Sequence, residues 1–350
     1  MSNFSSSRKG KSLIYYSIEN IDELERQNPA KSGQSESMRY INELKSGDMI
    51  SDIYLCKTKQ TLKTKAGKSY YSMMLQDKTG QMDSKIWDPS SGGICDFDAM
   101  DYVAVTGQVI SFNGALQLKI ERIRKADEGE YVPSDYIPCS KYDIEEMYTE
   151  LMQYIGSVKN EYLSALLKSF FTDDADFIAK FKSIAAGKTV HHGFLGGLLE
   201  HSLSVTRLCV KIAENYPFLN RDLLITCAAL HDAGKVKELA PFPKNDYTDE
   251  GNFLGHIVMG YEMVTQKMNQ IEGFPETLKA EIGHCILAHH RELEYGSPKK
   301  PAIAEALALA FADDCDAKME TMREALEAKD TNDWLGYNRW IDANIKRTIV

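Results

Sequence analysis

Histidine is missing from the first 190 residues of this 350-residue chain and from its last 60. Imidazole chemistry is thereby confined to one window, His191 to His290, which holds all eight histidines. CxxC pairs are missing as well. The seven cysteines are odd in number and widely spaced, which argues against a disulfide framework and for reduced thiols without chemistry. No run approaches about 18 consecutive apolar residues, so no membrane-spanning helix and no membrane partner are expected. The opening MSNFSSSRKGKS lacks an apolar stretch followed by a small-residue cleavage site, so a cytoplasmic rather than secreted protein is expected. A surplus of positive charge is also lacking: 41 Lys and Arg stand against 51 Asp and Glu, a formal charge of −10. The chain as a whole does not advertise a nucleic-acid binder.

What is present fits two globular domains. The hydrophobic content is 43% and the charged content 26%, over a length that can bury two ordinary cores. Residues 1–36, rich in Ser, Lys, Asn and Gln, read as a flexible arm. Short β-type runs come next, at Met49–Lys59, Ser69–Gln76, Gln81–Trp87, Tyr102–Phe112 and Ala115–Ile123. Turn signals separate them at Ala66-Gly67, at Asp77–Gly80 and, most strongly, at Asn113-Gly114. Asp88–Met100 leaves room for a short helix or loop. Five strands with a break between the third and fourth have the layout of an all-β OB-fold barrel, expected over 37–127. A linker at 128–141 with two prolines leads to an all-α region over 142–350, whose first helix starts near Ser140 and Asp143. Apolar residues at helical spacing, such as Ile144, Met147, Leu151 and Ile155, continue through 197–215, 221–236, 253–272, 276–290 and 302–327. A last helix is expected near 332–346.

Within the helical part the histidines form an ordered series: His201, the pair His231-Asp232, His256, the pair His289-His290, then Asp313-Asp314. Imidazole and carboxylate hold borderline divalent metals such as manganese, iron, cobalt or zinc. Polar residues seldom collect at apolar helix ends without a purpose, so the series reads as a metal-centred hydrolytic site. The helix expected at 221–236 brings His231 and Asp232 to its C-terminal end, about 100° apart around the axis. Two such neighbours can ligate a metal pair from one side, with Asp232 bridging. Gly234 would leave space for substrate. Lys235 returns to nearly the same face as Asp232, where its charge can neutralise a phosphate oxygen. His284 falls on a different helix face from His289 and reads as structural. His191 and His192, joined to His201 through a glycine-containing turn, are candidates for contacting phosphate.

The series resembles the HD superfamily of metal-dependent phosphohydrolases. His201, His231, Asp232 and Asp313 match its four-residue signature, and His256 matches the extra histidine of members with two metals. His289 is the better ligand of its pair, with His290 touching substrate or a second metal. Asp314 and Asp316 are expected outside the ligand set, either behind the ligands or in solvent. Taken together, LQDKTGQMDSKIWD, HHGFLGGLLEHSLSV, LHDAGKVKEL, LGHIVMG, AHHRELEYGSPKKP and FADDCDAKM resemble the YhaM-type 3′→5′ exoribonucleases of Gram-positive bacteria over roughly 38–330. That resemblance implies an enzyme that removes nucleoside 5′-monophosphates from single-stranded RNA and, in some members, DNA. It also implies manganese or cobalt support; the ligand series itself leads to an expectation of two divalent ions, Mn2+ first, with Co2+, Fe2+ or Zn2+ as alternatives. Asp232, Lys235 and His290 are then the candidate catalytic residues, with metal-activated water as the nucleophile.

One local exception to the acidic balance is KTKQTLKTKAGK at 57–68, with five lysines and no acid. It spans the end of the first expected strand and the turn into the second, beside the ligand face of an OB-fold. Lys63, Lys65 and Lys68 are candidate phosphate contacts, and Tyr71 and Trp87 candidate stacking residues, with Tyr70 and Phe112 also considered. Adjacent Tyr70 and Tyr71 point to opposite faces, so at most one of them stacks. Two other functions fit less well: a small-molecule phosphohydrolase with a regulatory barrel, and a non-catalytic RNA-binding protein. A cyclic-di-nucleotide phosphodiesterase of the HD-GYP type is disfavoured, because RELEYGSP stands after the HH pair where a DGxGYP-like string belongs. Homo-oligomerisation is left open.

Overall fold

Alternating burial along five strands closes a barrel. The strands are β1 (Met49–Lys63), β2 (Ser69–Asp77), β3 (Gly80–Ile86), β4 (Tyr102–Phe112) and β5 (Ala115–Lys125), joined in the order β1-β2-β3-β5-β4. All pairings are antiparallel except β3 with β5. This is the expected OB-type barrel. In this computed structural model residues 38–188, 192–328 and 331–348 are described. The arm expected at 1–36 and the candidate His191 lie outside them.

Turn chemistry sets the barrel's register. Asn113 and Gly114 both take positive φ (50° and 81°), as a two-residue hairpin with this twist requires. At the β2–β3 turn, Asp77 Oδ1 accepts from the Thr79 and Gly80 backbone N–H groups, while its Oδ2 accepts from Ile41 N–H at 2.6 Å. Inward residues such as Ile50, Met73, Leu75, Val105, Val109 and Leu118 fill the interior. The segment between β3 and β4 is a loop, tied to β5 where Ile94 bridges Ile123.

The helical part consists of α1 (Ile144–Gly156), α2 (Glu161–Phe171), α3 (Ala175–Ser183), α4 (Gly197–Asn215), α5 (Arg221–Leu230), α6 (Lys235–Glu238), α7 (Asp249–Gln270), α8 (Glu276–Ala288) and α9 (Ala304–Glu327). Several starts carry side-chain caps that satisfy otherwise orphaned N–H groups: Asp143, Asn160, Asp174, Asn220 and Thr248. One apolar core runs through α1–α9, with Phe170, Phe181, Leu224 and Ile286 among its buried members. A smaller cluster joins barrel to helices. Tyr102 stacks on Tyr131 and packs with Leu55, Tyr136 and Ile137, against which Leu195 and Phe242 lie.

Two expectations are corrected. The helix expected over 221–236 stops at Leu230. Ala233 N–H reaches back to Leu230 O and Lys235 N–H to Asp232 O, so His231–Gly234 form turns before the one-turn α6. The helix expected near 332–346 is instead a hairpin of β6 (Trp334–Asn338) and β7 (Ala343–Lys346). Trp334 and Tyr337 favour strand, Gly336 disfavours helix, and Asp342 turns the chain with φ 56°. Among the described residues no helix is long and apolar enough to cross a membrane.

Candidate metal centre

Five imidazoles converge because the ends or breaks of four helices do. His201 sits in the second turn of α4. His231 and Asp232 occupy the turn after α5, His289 and His290 come directly after α8, and Asp313 and Asp316 lie on α9. His256 is delivered by a break. Gly255 leaves helical geometry inside α7 (φ 72°, ψ 156°), which detaches the His256 N–H from the helix ladder. Glu238 takes up that N–H at 2.9 Å and the His256 Nδ1–H at 3.1 Å.

Each ring is anchored through Nδ1. His231 Nδ1 donates to Ala228 O (2.8 Å), His289 Nδ1 to Ile286 O (2.6 Å) and His290 Nδ1 to Tyr295 O (2.9 Å). His201 Nδ1 faces Asp316 Oδ2 at 2.7 Å. A proton on Nδ1 leaves the Nε2 lone pair directed inward, the arrangement of a metal-ligating imidazole. Asp232 lies between two groups of these atoms. Its Oδ2 is 3.4 Å from both His201 Nε2 and His231 Nε2, and Asp313 Oδ1 is 3.2 Å from His201 Nε2. Its Oδ1 is 3.4 Å from His256 Nε2 and 3.7 Å from His289 Nε2.

The donor set fits a cation. Asp232 Oδ1, His256 Nε2 and His289 Nε2 are buried and have no hydrogen-bond partner among the described residues. Buried polar atoms without partners are costly, and three converging ones call for a positive guest. His201 Nε2 and His231 Nε2 approach to 3.2 Å, a contact that needs a proton or a cation to offset facing lone pairs. His201, His231 and Asp232 form one group of ligand atoms close enough to hold a metal, and His256, His289 and His290 form another.

Charge is distributed along the same lines. Burial works against ionised Asp232, but Lys235, His231 and His201 outweigh it and hold the carboxyl well below its usual range. Asp313 is likewise held down by His201, His231 and His289 in spite of burial. Burial lowers His289, and neighbouring His290 and His231 lower it further, so it stays neutral and able to ligate. Lys235 Nζ donates to Asp232 Oδ2 at 2.6 Å and is held protonated against its own burial.

Against this geometry, 35% of residues are identical to the 3′-5′ exoribonuclease YhaM of Bacillus velezensis, over 282 residues that cover 80% of this chain and 88% of the relative. The chain belongs to the YhaM family. The enzyme of that name from Bacillus pumilus is 36% identical, over 75% of this chain and 82% of its own length. The HD domain family model matches residues 198–318, a range that contains His201, His231, Asp232, His256, His289, His290 and Asp313. The barrel is similar to the second OB-fold domain of replication protein A from Methanococcus maripaludis: 19% identity, TM-score 0.21, 26% of this chain and 96% of that one.

Other candidates of this YhaM-family chain are placed differently from expectation. His192 is buried behind His201, with Nε2 on Asp316 Oδ2 at 3.0 Å, so it does not stand over the metal ligands as a phosphate contact. Gly234 leaves no space for substrate. A Cβ there would collide with the His256 carbonyl and the Gly260 N–H, so its role is to let α7 approach. His284 Nε2 accepts from Ala302 N–H at 2.8 Å, outside the ligand groups. Asp314 is paired with Arg291 and Lys318. On the barrel, Tyr71 is turned inward against Phe97 with Lys59 Nζ over its ring, whereas Tyr70 stacks on the half-exposed Trp87 at 4.8 Å. The outer aromatic pair is therefore Tyr70–Trp87. Lys63, Lys65 and Lys68 are exposed beside it, Lys68 lying 3.6 Å from Asp88.

Sequence reasoning did not single out Glu238; it expected Asp316 either behind the ligands or in solvent, and the structure places it behind His201. A signal existed for Asp316, which comes three residues after Asp313 and so shares its helix face. Another existed for Tyr71. It has the same parity as Met73 and Leu75, which marks it as an inward residue and Tyr70 as the outer one.

Proposed function

We propose that the chain is a metal-dependent 3′→5′ exoribonuclease that removes nucleoside 5′-monophosphates from single-stranded RNA, with single-stranded DNA as a second substrate. Two divalent ions share the centre, Mn2+ first, with Co2+, Fe2+ or Zn2+ able to replace it. The observation that carries this reading is the position of Asp232, whose two oxygens face different histidine groups. His201, His231 and Asp313 would hold one ion with Asp232 Oδ2. His256, His289 and His290 would hold the other with Oδ1, so His290 is assigned as a ligand.

When bound, the ions supply the activation of water and the polarisation of the scissile phosphate. The chain's residues do the rest. The Nδ1 anchors fix each imidazole before substrate arrives, which removes a reorganisation cost. Lys235 keeps a positive charge beside Asp232, where negative charge on phosphate oxygens builds up during cleavage. The region 37–127 holds the strand through Tyr70, Trp87, Lys63, Lys65 and Lys68, and the region 142–350 cleaves it. A cationic rim with aromatic faces suits single strands without regard to sequence.

Single-stranded oligoribonucleotides labelled at the 3′ or the 5′ end, incubated with Mn2+, test the proposal. Progressive shortening from the 3′ end with release of nucleoside 5′-monophosphates is expected. Turnover of mononucleotides alone, or binding without turnover, would overturn it.

A further inference from the structure

His192 is carried into the protein by an uncommon backbone. Its φ is 55°, a region that residues with a Cβ seldom adopt without compensating contacts. Gly197 lies so close that a Cβ there would collide with the His192 carbonyl. The histidine ends 3% exposed, behind His201. One ring nitrogen is satisfied. Nε2 is 3.0 Å from Asp316 Oδ2 and must donate, since a carboxylate only accepts. Nδ1 is then left with a lone pair, and it is buried with no hydrogen-bond partner among the described residues.

That nitrogen faces Glu200 Oε1 at 3.6 Å. The separation is too long for a hydrogen bond and suits two ligands of one ion, which stand about 3.4 Å apart when each bond is about 2.1 Å at a tetrahedral angle. Glu320 completes the group: the ligand atoms of His192, Glu200 and Glu320 lie within 4.8 Å of one another.

Charge points the same way. Glu200 and Asp316 are largely buried, with side chains 12% and 10% exposed. Among the described residues their donors are hydroxyls and imidazoles. Ser140 donates to Glu200 Oε2 at 2.6 Å, and Ser204, His192 and His201 meet Asp316. His201 is neutral when its Nε2 ligates. Arg323 is matched by Glu320 and Glu327, and each Glu320 oxygen keeps a lone pair beyond its bond to Arg323. Glu324, half-buried one turn beyond Glu320, adds another carboxyl. Two acids thus lack a fixed cation. A proton on Nδ1 would bring one positive charge, and a divalent ion brings two.

We propose that His192 Nδ1, Glu200 and Glu320 hold a further divalent cation, separate from the centre at Asp232. One imidazole with two carboxylates suits a borderline ion such as Mn2+ or Zn2+ over Mg2+ or Ca2+, which favour oxygen ligands. The ion fastens α9 to the first turn of α4 and, through Ser140 on Glu200, to the linker that leads from the barrel. Asp316 stands between this site and the ligand His201. The site stands whatever the number of ions at Asp232.

The test counts bound Mn2+ by equilibrium dialysis and elemental analysis of full-length protein. Glu200→Gln, which keeps an oxygen for the Ser140 hydroxyl, should hold one ion fewer than wild type. The same difference should separate Asp232→Ala from Asp232→Ala/Glu200→Gln, because the lost ion is not at the Asp232 centre. Mn2+ should also raise the melting temperature of Asp232→Ala, and most of that rise should vanish in the double variant. Glu320→Gln, which keeps an acceptor for Arg323, should repeat the loss and decides if Glu200→Gln does not fold. An unchanged ion count in either folded variant would overturn the site and leave His192 held by a second proton. An ion lost from wild type but not from the Asp232→Ala background would overturn it too, because that ion would belong to the Asp232 centre.

Discussion

One oxygen of Glu238 holds His256 at two points. Glu238 Oε1 accepts from the His256 backbone N–H at 2.9 Å and from its Nδ1–H at 3.1 Å. The first bond stabilises the break at Gly255, and the second fixes the tautomer that turns Nε2 toward Asp232 Oδ1. Burial raises the cost of the Glu238 charge, but His256 and then Lys235 hold its carboxyl below the usual range. Glu238→Ala should therefore weaken metal binding by about 10–100-fold, the usual effect of removing an outer partner of a ligating histidine. Calorimetric titration with Mn2+ measures it, and Glu238→Gln, which keeps an acceptor oxygen, should recover part of the loss. Unchanged metal affinity in the alanine variant would show that His256 is not a ligand.

Asp232→Ala or His231→Ala should abolish phosphodiester cleavage while leaving the helical content of the circular dichroism spectrum intact. Metal content and turnover should fall together, because Asp232 lies between both groups of imidazoles. Near-normal turnover in Asp232→Ala would exclude a centre of two ions sharing this residue.

Gly234→Ala should act through packing. The added methyl meets the His256 carbonyl and the Gly260 N–H, both backbone atoms that cannot swing aside. A loss of roughly 1–3 kcal/mol is the ordinary cost of overpacking, read as a lower melting temperature. Metal binding should weaken at the same time, since the segment pushed away carries His256. A variant with unaltered melting and metal binding would show that α7 can shift without cost.

Tyr70→Ala and Tyr71→Ala should separate binding from folding. Tyr70 stacks on Trp87 on the outside of the barrel, so its loss should cost about 1–3 kcal/mol of single-strand affinity with little change in stability. Tyr71 packs inward against Phe97, so its loss should destabilise the barrel by roughly 3 kcal/mol and leave the affinity of folded protein nearly unchanged. Affinity measurements and denaturant melts on both variants check the assignment, and the opposite pattern would reverse it.

Lys235→Ala should retain metal and slow turnover by about 10²-fold or more, as loss of a positioned electrostatic donor does. Metal analysis beside single-turnover rates distinguishes this from a structural role, in which metal would be lost while activity per bound ion persists.

The sequence by itself determined the features that depend on neighbours along the chain. Asn113-Gly114 dictates its hairpin because both residues tolerate positive φ, and Asp143 caps α1 because its carboxylate reaches the N–H three residues on. The ordered histidines and Asp313 were legible because their clustering has no apolar explanation. Tertiary structure decided whatever depends on which segments meet. Whether Gly234 makes room for substrate or for α7 is set by how closely α7 approaches, and the partners of His256 and His201 by which carboxylates, Glu238 and Asp316, arrive from elsewhere. The α5 helix ends at Leu230 although its apolar spacing continues, and the His231–Gly234 turns bring His231 and Asp232 among groups from α4, α7, α8 and α9. In the terminal hairpin a one-residue bulge chooses the face of Trp334 relative to Tyr337, and only the pairing of β6 with β7 determines where that residue falls.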